Sequence, residues 1–111
     1  MIQLVLSTCS PADADALGRR VVEERLAACC NRVPGVLSTY WWEGKVTTDE
    51  EVLLIFKTTR ADALLERLKA LHPYETPEIL VIPVERGLEA YMNWVVTSCG
   101  DPPSGDSPQS P

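Results

Sequence analysis

The only histidine of the chain, His72, stands in the run Leu71-His72-Pro73-Tyr74-Glu75-Thr76-Pro77-Glu78, among two carboxylates and two prolines. Imidazole and carboxylate together, His72 with Glu75 and Glu78, are a donor set suited to copper, zinc or nickel. A metal site needs about three or four donors. One such run cannot supply them, so a neighbouring subunit must contribute residues or three copies of His72 must meet on a threefold axis. The competing reading makes His72 a cap on the C-terminal end of a helix, where imidazolium suits the dipole, with both glutamates solvated. Each proline fixes its own φ and biases the residue before it toward extended geometry, so the run is a stiff connector, the kind of segment on which sites tend to sit.

Further chemistry-bearing residues lie upstream. Cys29 and Cys30 are adjacent, and on a strand they point to opposite faces. Cys29 reads either as a thiolate ligand or as a small apolar residue packing a helix-to-strand junction. Tyr40, Trp41 and Trp42 stand beside Gly44. They could stack on a planar ligand, but aromatics at a hairpin end are more often packing, and Trp42 is assigned to a subunit contact together with Tyr74 and Glu75. Lys57 could neutralise an anion in an inter-subunit cleft, pair with Glu75 or Glu78, or be an ordinary surface lysine at a strand end. The chain has no Gly-rich phosphate loop, no serine nucleophile elbow and no His-Glu-x-x-His, and nothing sets a substrate beside Glu75 and Glu78, so an enzyme is not expected.

The elements that must position these residues follow from periodicity. Ile2 to Ser7 reads as a strand, and Ser10-Pro11 as an N-cap with proline at the first helical position. Ala14, Leu17, Val21 and Ala28 recur at helical spacing, so a helix of about four turns is expected to end near Ala28. Cys29 to Trp42 and Lys45 to Thr59 are rich in β-branched and aromatic residues around Glu43-Gly44, which predicts a long hairpin with a bulge or bend at Pro34-Gly35. Arms of that length span roughly 45 Å, more than a small domain needs, so the tip should project toward a partner. Thr59 is expected to cap a helix carrying Ala61, Leu64, Leu65, Leu68 and Leu71. A strand from Glu78 to Val84 and a helix after Gly87 complete an α+β, ferredoxin-like split βαβ order with a C-terminal helix.

In that arrangement both crossover helices cover one sheet face, and strands should alternate apolar and polar. Here they do not. Leu4-Val5-Leu6, Val52-Leu53-Leu54-Ile55-Phe56 and Ile79-Leu80-Val81-Ile82 are apolar on both faces, which implies that something covers the second face, self-association being the simplest cover.

The chain has 111 residues and is 45% hydrophobic, enough for one modest core. Its net charge is −6, which argues against nucleic acid or anionic membrane as the partner. The N-terminus lacks a basic segment and a long apolar run, no stretch reaches transmembrane length, and four cysteines without a secretion signal are read as reduced thiols in a cytoplasm. Residues 1–99 form the expected domain, and residues 100–111, rich in Pro and Ser, the expected flexible tail.

The octet resembles the CutA divalent-cation tolerance family, whose run in this region reads His-Pro-Tyr-Glu-x-Pro-Glu. Glu24-Arg25-Leu26-Ala27-Ala28-Cys29 followed by Asn31, Pro34-Gly35, Ser38, Tyr40, Trp42 and Gly44 is similar to that family's second motif, and Lys57-Thr58 and Tyr91-x-x-Trp94 fall where it would place them. Several spaced motifs in one order over residues 2 to 98 are far more specific than any one of them. The resemblance implies a ferredoxin-like subunit in a cytoplasmic homotrimer with its sheets facing inward. It also implies a link to divalent metal, copper above all, with His72, Glu78 and Cys29 as the metal candidates. Some family members are associated with a copper-site cysteine at the end of the first strand; this chain has Ser7-Thr8 there and its thiol at Cys9. Two other readings stay open: a small-ligand signalling module like the trimeric PII proteins, and a trimeric scaffold whose metal response is indirect.

Overall fold

A computed structural model describes residues 1–100. The elements are β1 (Gln3–Cys9), α1 (Pro11–Glu23), β2 (Cys29–Trp42), β3 (Lys45–Thr58), α2 (Ala61–Leu71), β4 (Leu80–Pro83) and α3 (Glu89–Ser98). The four strands form one sheet in the order β2-β3-β1-β4, with every neighbouring pair antiparallel. This is the expected ferredoxin-like α+β arrangement. The segment from Asp101, which holds nearly all of the expected tail, lies outside the described residues.

Alternation along β1 and β3 sorts their side chains between two faces. Val5, Ser7, Cys9, Leu54, Phe56 and Thr58 turn toward α1 and α2 and are buried, and with Leu17, Val21, Leu64 and Leu68 they account for most of the core between sheet and helices. Leu4, Leu6, Leu53 and Ile55 turn the other way. They are only half buried, and Leu80 and Ile82 beside them on β4 are 54% and 41% exposed. The second face is therefore apolar and largely open. At one end of the sheet α3 packs Val95 and Cys99 against Ile2 in a separate small cluster.

Ser7 is the anomaly of the inner face. Its hydroxyl is fully buried and has no hydrogen-bond partner among the described residues. An orphaned buried hydroxyl costs about 1–3 kcal/mol, so Ser7→Ala will raise stability by about 1 kcal/mol, seen as a higher urea midpoint at unchanged slope.

The hairpin follows the sequence closely. Glu43 and Gly44 both have positive φ, 48° and 76°, the pair of left-handed residues that a two-residue type I′ turn requires. The register slips between Val33 and Val36, where Pro34 and Gly35 form the bulge. The arms carry the subunit to 53 Å in its longest dimension against 25 and 23 Å in the others. Trp41, Trp42, Leu37 and Val46 near the tip are 74, 53, 71 and 61% exposed.

Strand β1 runs two residues past the expected Ser7, held by the pairing of Thr8 and Cys9 with Leu53 and Val52, so the Cys9 thiol and not Ser7-Thr8 stands at its end. Three further boundaries differ from expectation. Helix α1 stops at Glu23, because Arg25 turns left-handed at φ 59° and the chain closes a Schellman motif. In that motif Leu26 N–H donates to Val21 O at 3.2 Å and Arg25 N–H to Val22 O at 3.0 Å. The strain at Arg25 is held from outside: its carbonyl accepts Gly100 N–H at 2.9 Å and an Arg60 guanidinium N–H at 3.3 Å. Next to it Glu24 accepts from Arg67 at 2.8 and 2.9 Å and from Arg20 at 2.8 Å, which draws its carboxyl down to about 2 and braces α1 on α2.

The second difference is at the start of α2. The N-cap is Arg60, and the hydroxyl that serves the turn belongs to Thr58, accepting Arg60 N–H at 2.8 Å and donating to Leu26 O at 2.6 Å. Thr58 can reach both because it faces the helices. The third is β4, which pairs only from Leu80 to Pro83, since β1 offers it just Gln3 to Leu6 and Pro83 has no N–H to extend the ladder.

Candidate functional site

His72 closes α2. Its backbone N–H donates to Leu68 O at 2.8 Å, and its own φ and ψ of −69° and 133° already belong to the extended connector that Pro73 demands. The ring does not face solvent; the residue is only 6% exposed. Nε2 lies 2.8 Å from Thr8 O at the far end of β1, and Nδ1 lies 3.1 Å from the backbone nitrogen of Tyr74. A backbone N–H can only donate and a carbonyl can only accept. Nδ1 must therefore present its lone pair and Nε2 its proton, which makes the ring the neutral Nε2-protonated tautomer.

The contact with Tyr74 reaches further. The two rings pack at 4.5 Å between centroids, and the Tyr74 hydroxyl donates to Glu51 Oε2 at 2.9 Å. Burial, and then the hydrogen bond to Glu51, push the phenol's pKa well above its ordinary value. Glu51 is 7% exposed although it stands on the open side of the sheet, on the same face as Leu53 and Ile55. Two residues before it, Asp49 accepts the Tyr40 hydroxyl across the hairpin, a contact that raises the Tyr40 phenol in turn. Inside the sheet, burial first and the Asp13 and Glu51 charges second push the Cys9 thiol up to about 11, so it remains protonated.

The other expected donors lie apart. Glu75 and Glu78 are exposed on the connector, and neither joins an ion pair among the described residues. Lys57 does not pair with them. It stands opposite Cys29 in the β2–β3 register, its Nζ 4.0 Å from Cys29 Sγ. Lys57 is also level with Leu4 on β1, whereas His72 holds Thr8. Four residues of strand separate those levels, about 13 Å, so Cys29 and His72 occupy opposite ends of the sheet within one subunit. Among the described residues no three of His, Cys, Asp and Glu are grouped so as to hold a metal ion. Trp42 is at the hairpin tip, half exposed and distant from both clusters along the strand.

The structure thus joins His72 and Tyr74, as the connector suggested, and adds Thr8 and Glu51, which sequence reasoning did not single out. Glu51 carried a signal. It is the one residue of that face where a carboxylate directly precedes five consecutive apolar positions, and an acid there needs a donor.

The chain matches the family model described as CutA1 divalent ion tolerance protein over residues 3–98. It is 45% identical over 103 residues to the divalent-cation tolerance protein CutA of Thermus thermophilus, covering 90% of this chain and 100% of the relative. It is 48% identical over 89 residues to the protein of the same name in Escherichia coli, covering 78% of this chain and 80% of that one. The rice protein named CutA 1, chloroplastic, is 49% identical over 84 residues, which are 74% of this chain; the chain spans about half of that relative, 48%. Solved structures agree: the Thermus protein superposes with a TM-score of 0.85 over 90% of this chain and 100% of its own, at 46% identity. The rice structure gives 0.86 over 90% and 94%, at 42% identity.

Proposed function

This chain belongs to the CutA1 family of divalent ion tolerance proteins, and from that premise we propose that it works in the cytoplasm as a homotrimer that takes up divalent cations, copper foremost, between its subunits. The family is named for tolerance and not for a reaction, and we read the protein as a binder without catalysis. The observation that carries the trimer is the open sheet face, where Leu80 and Ile82 stand exposed beside Leu4, Leu6, Leu53 and Ile55. Apolar surface of this kind returns about 25 cal/mol per Å² when covered, and a second and third copy of the same face are the simplest cover.

Assembly also suits the donors. Glu75 and Glu78 are exposed carboxylates free of ion pairs among the described residues, and Cys29 is a half-buried thiol; carboxylates suit hard divalent ions and a thiolate suits copper. Donors drawn from different subunits are consistent with the lack of a three-residue cluster among the described residues of one chain. Four free cysteines accord with a reducing compartment.

Native mass spectrometry with a few equivalents of Cu²⁺ tests the reading. A trimer is expected that takes up a fixed number of ions and loses them in the Glu75→Gln, Glu78→Gln double variant. A trimer without saturable uptake, or one stabilised by a nucleotide and indifferent to copper, would move the function to the small-ligand module.

A further inference from the structure

The one imidazole of the chain, the natural first choice for a copper or zinc ligand, has no nitrogen to offer. Nε2 is 2.8 Å from Thr8 O and Nδ1 is 3.1 Å from Tyr74 N, both contacts within the same chain, around a side chain of a residue 6% exposed. A cation at Nδ1 would displace the Tyr74 N–H, and a cation at Nε2 would have to remove a proton and leave Thr8 O unpaired. Either exchange removes from a backbone group the partner that the ring now gives it.

We propose that His72 is a positioning residue and not a cation ligand: the neutral, Nε2-protonated ring latches the 72–79 connector to the end of β1 and sets the Tyr74 phenol on Glu51. Four parts of the fold meet at this one ring. Helix α2 ends on it through the His72 N–H to Leu68 O bond, β1 ends on it through Thr8, the connector starts from it through Tyr74, and β3 is reached through the Tyr74 hydroxyl at 2.9 Å from Glu51. A donor-only side chain such as lysine could hold Thr8 O but not the Tyr74 N–H, and a carboxylate could do the reverse. Neutral imidazole does both at opposite ends of a rigid plane. Glu75 and Glu78 follow immediately along the connector, so the latch fixes the backbone that carries them, and His72 acts on them only through that backbone.

The tautomer is read directly by imidazole ¹H–¹⁵N correlation on the ¹⁵N-labelled full chain, first alone and then with excess Zn²⁺. The expected spectrum shows a proton on Nε2 and a bare Nδ1, and zinc leaves both signals in place. A proton on Nδ1, or a saturable zinc-dependent displacement of either ring nitrogen, would overturn the proposal. Two variants divide the latch: His72→Asn keeps an acceptor near the Nδ1 position, and His72→Gln keeps a donor near Nε2. Hydrogen exchange at the Tyr74 amide should stay protected in His72→Asn and accelerate by about tenfold in His72→Gln, whereas equal protection in the two would overturn the positioning role. If neither variant folds, the wild-type spectrum decides. Because its metal-free arm needs no cation, this test can succeed where the uptake experiment on Glu75 and Glu78 fails, and the reverse.

Discussion

His72→Ala will cost about 3 kcal/mol of unfolding free energy, more than any other single side chain of the connector. Two hydrogen bonds of roughly 1 kcal/mol each are lost, and the partners left behind, Thr8 O and Tyr74 N, are backbone groups that must then stay unpaired or recruit water. Removing a 6% exposed ring also opens a void beneath Tyr74, whose ring packs 4.5 Å away. Glu75→Ala and Glu78→Ala, at exposed positions without ion pairs among the described residues, should stay within about 0.5 kcal/mol of the parent. Urea unfolding at fixed protomer concentration makes the comparison, since association would otherwise change the apparent stability. With a slope of about 1–3 kcal/mol per molar, the histidine variant should lose about 1 M or more in midpoint. A midpoint equal to those of the glutamate variants would mean that the ring bears no structural load, and would reopen its use as a ligand.

Local chemistry made much of the fold readable. Glu43-Gly44 and Pro34-Gly35 carry their own backbone preferences, so the hairpin, its turn and its bulge could be placed from four residues. The doubly apolar strands announced an uncovered face for the same reason: period two leaves an apolar run no polar side to show. What escaped depended on contacts distant in sequence. Arg25 carries no glycine-like signal, and its left-handed turn persists because Gly100 and Arg60, 75 and 35 residues away, hold its carbonyl. Thr58 and Thr59 are indistinguishable as caps until the pleat decides which one faces the helices. The connector was legible as a stiff, functional-looking segment, but its histidine was not legible as a latch, because the groups that occupy it include Thr8, 64 positions earlier. Likewise only the strand register shows that Cys29 and His72 lie at opposite ends of one sheet.

Leu80→Asp combined with Ile82→Asp will take the proposed homotrimer apart. The two side chains are 54% and 41% exposed on the edge strand β4 and stand level with Leu6 and Leu4, continuing the apolar surface of the open face to its β4 edge. Covering what remains exposed of one such side chain is worth about 1 kcal/mol, so six of them in the proposed trimer would contribute about 6 kcal/mol before any other contact is counted. Aspartate removes that term and adds the larger cost of taking unpaired carboxylates out of water. The subunit's own core should survive, because Val5, Leu54, Phe56, Leu64 and Leu68 are buried on the opposite side of the sheet and none of them touches the new charges across it. Size-exclusion chromatography with light scattering, run beside circular dichroism, should therefore find a folded species of monomer mass. Leu88→Asp is the matched control: Leu88 is 75% exposed, but it precedes α3 and does not belong to the sheet face, so its variant should remain assembled. If the double variant stays trimeric while folded, the subunits join through the exposed hairpin residues Leu37, Trp41 and Val46 instead, and the apolar sheet face needs a different occupant.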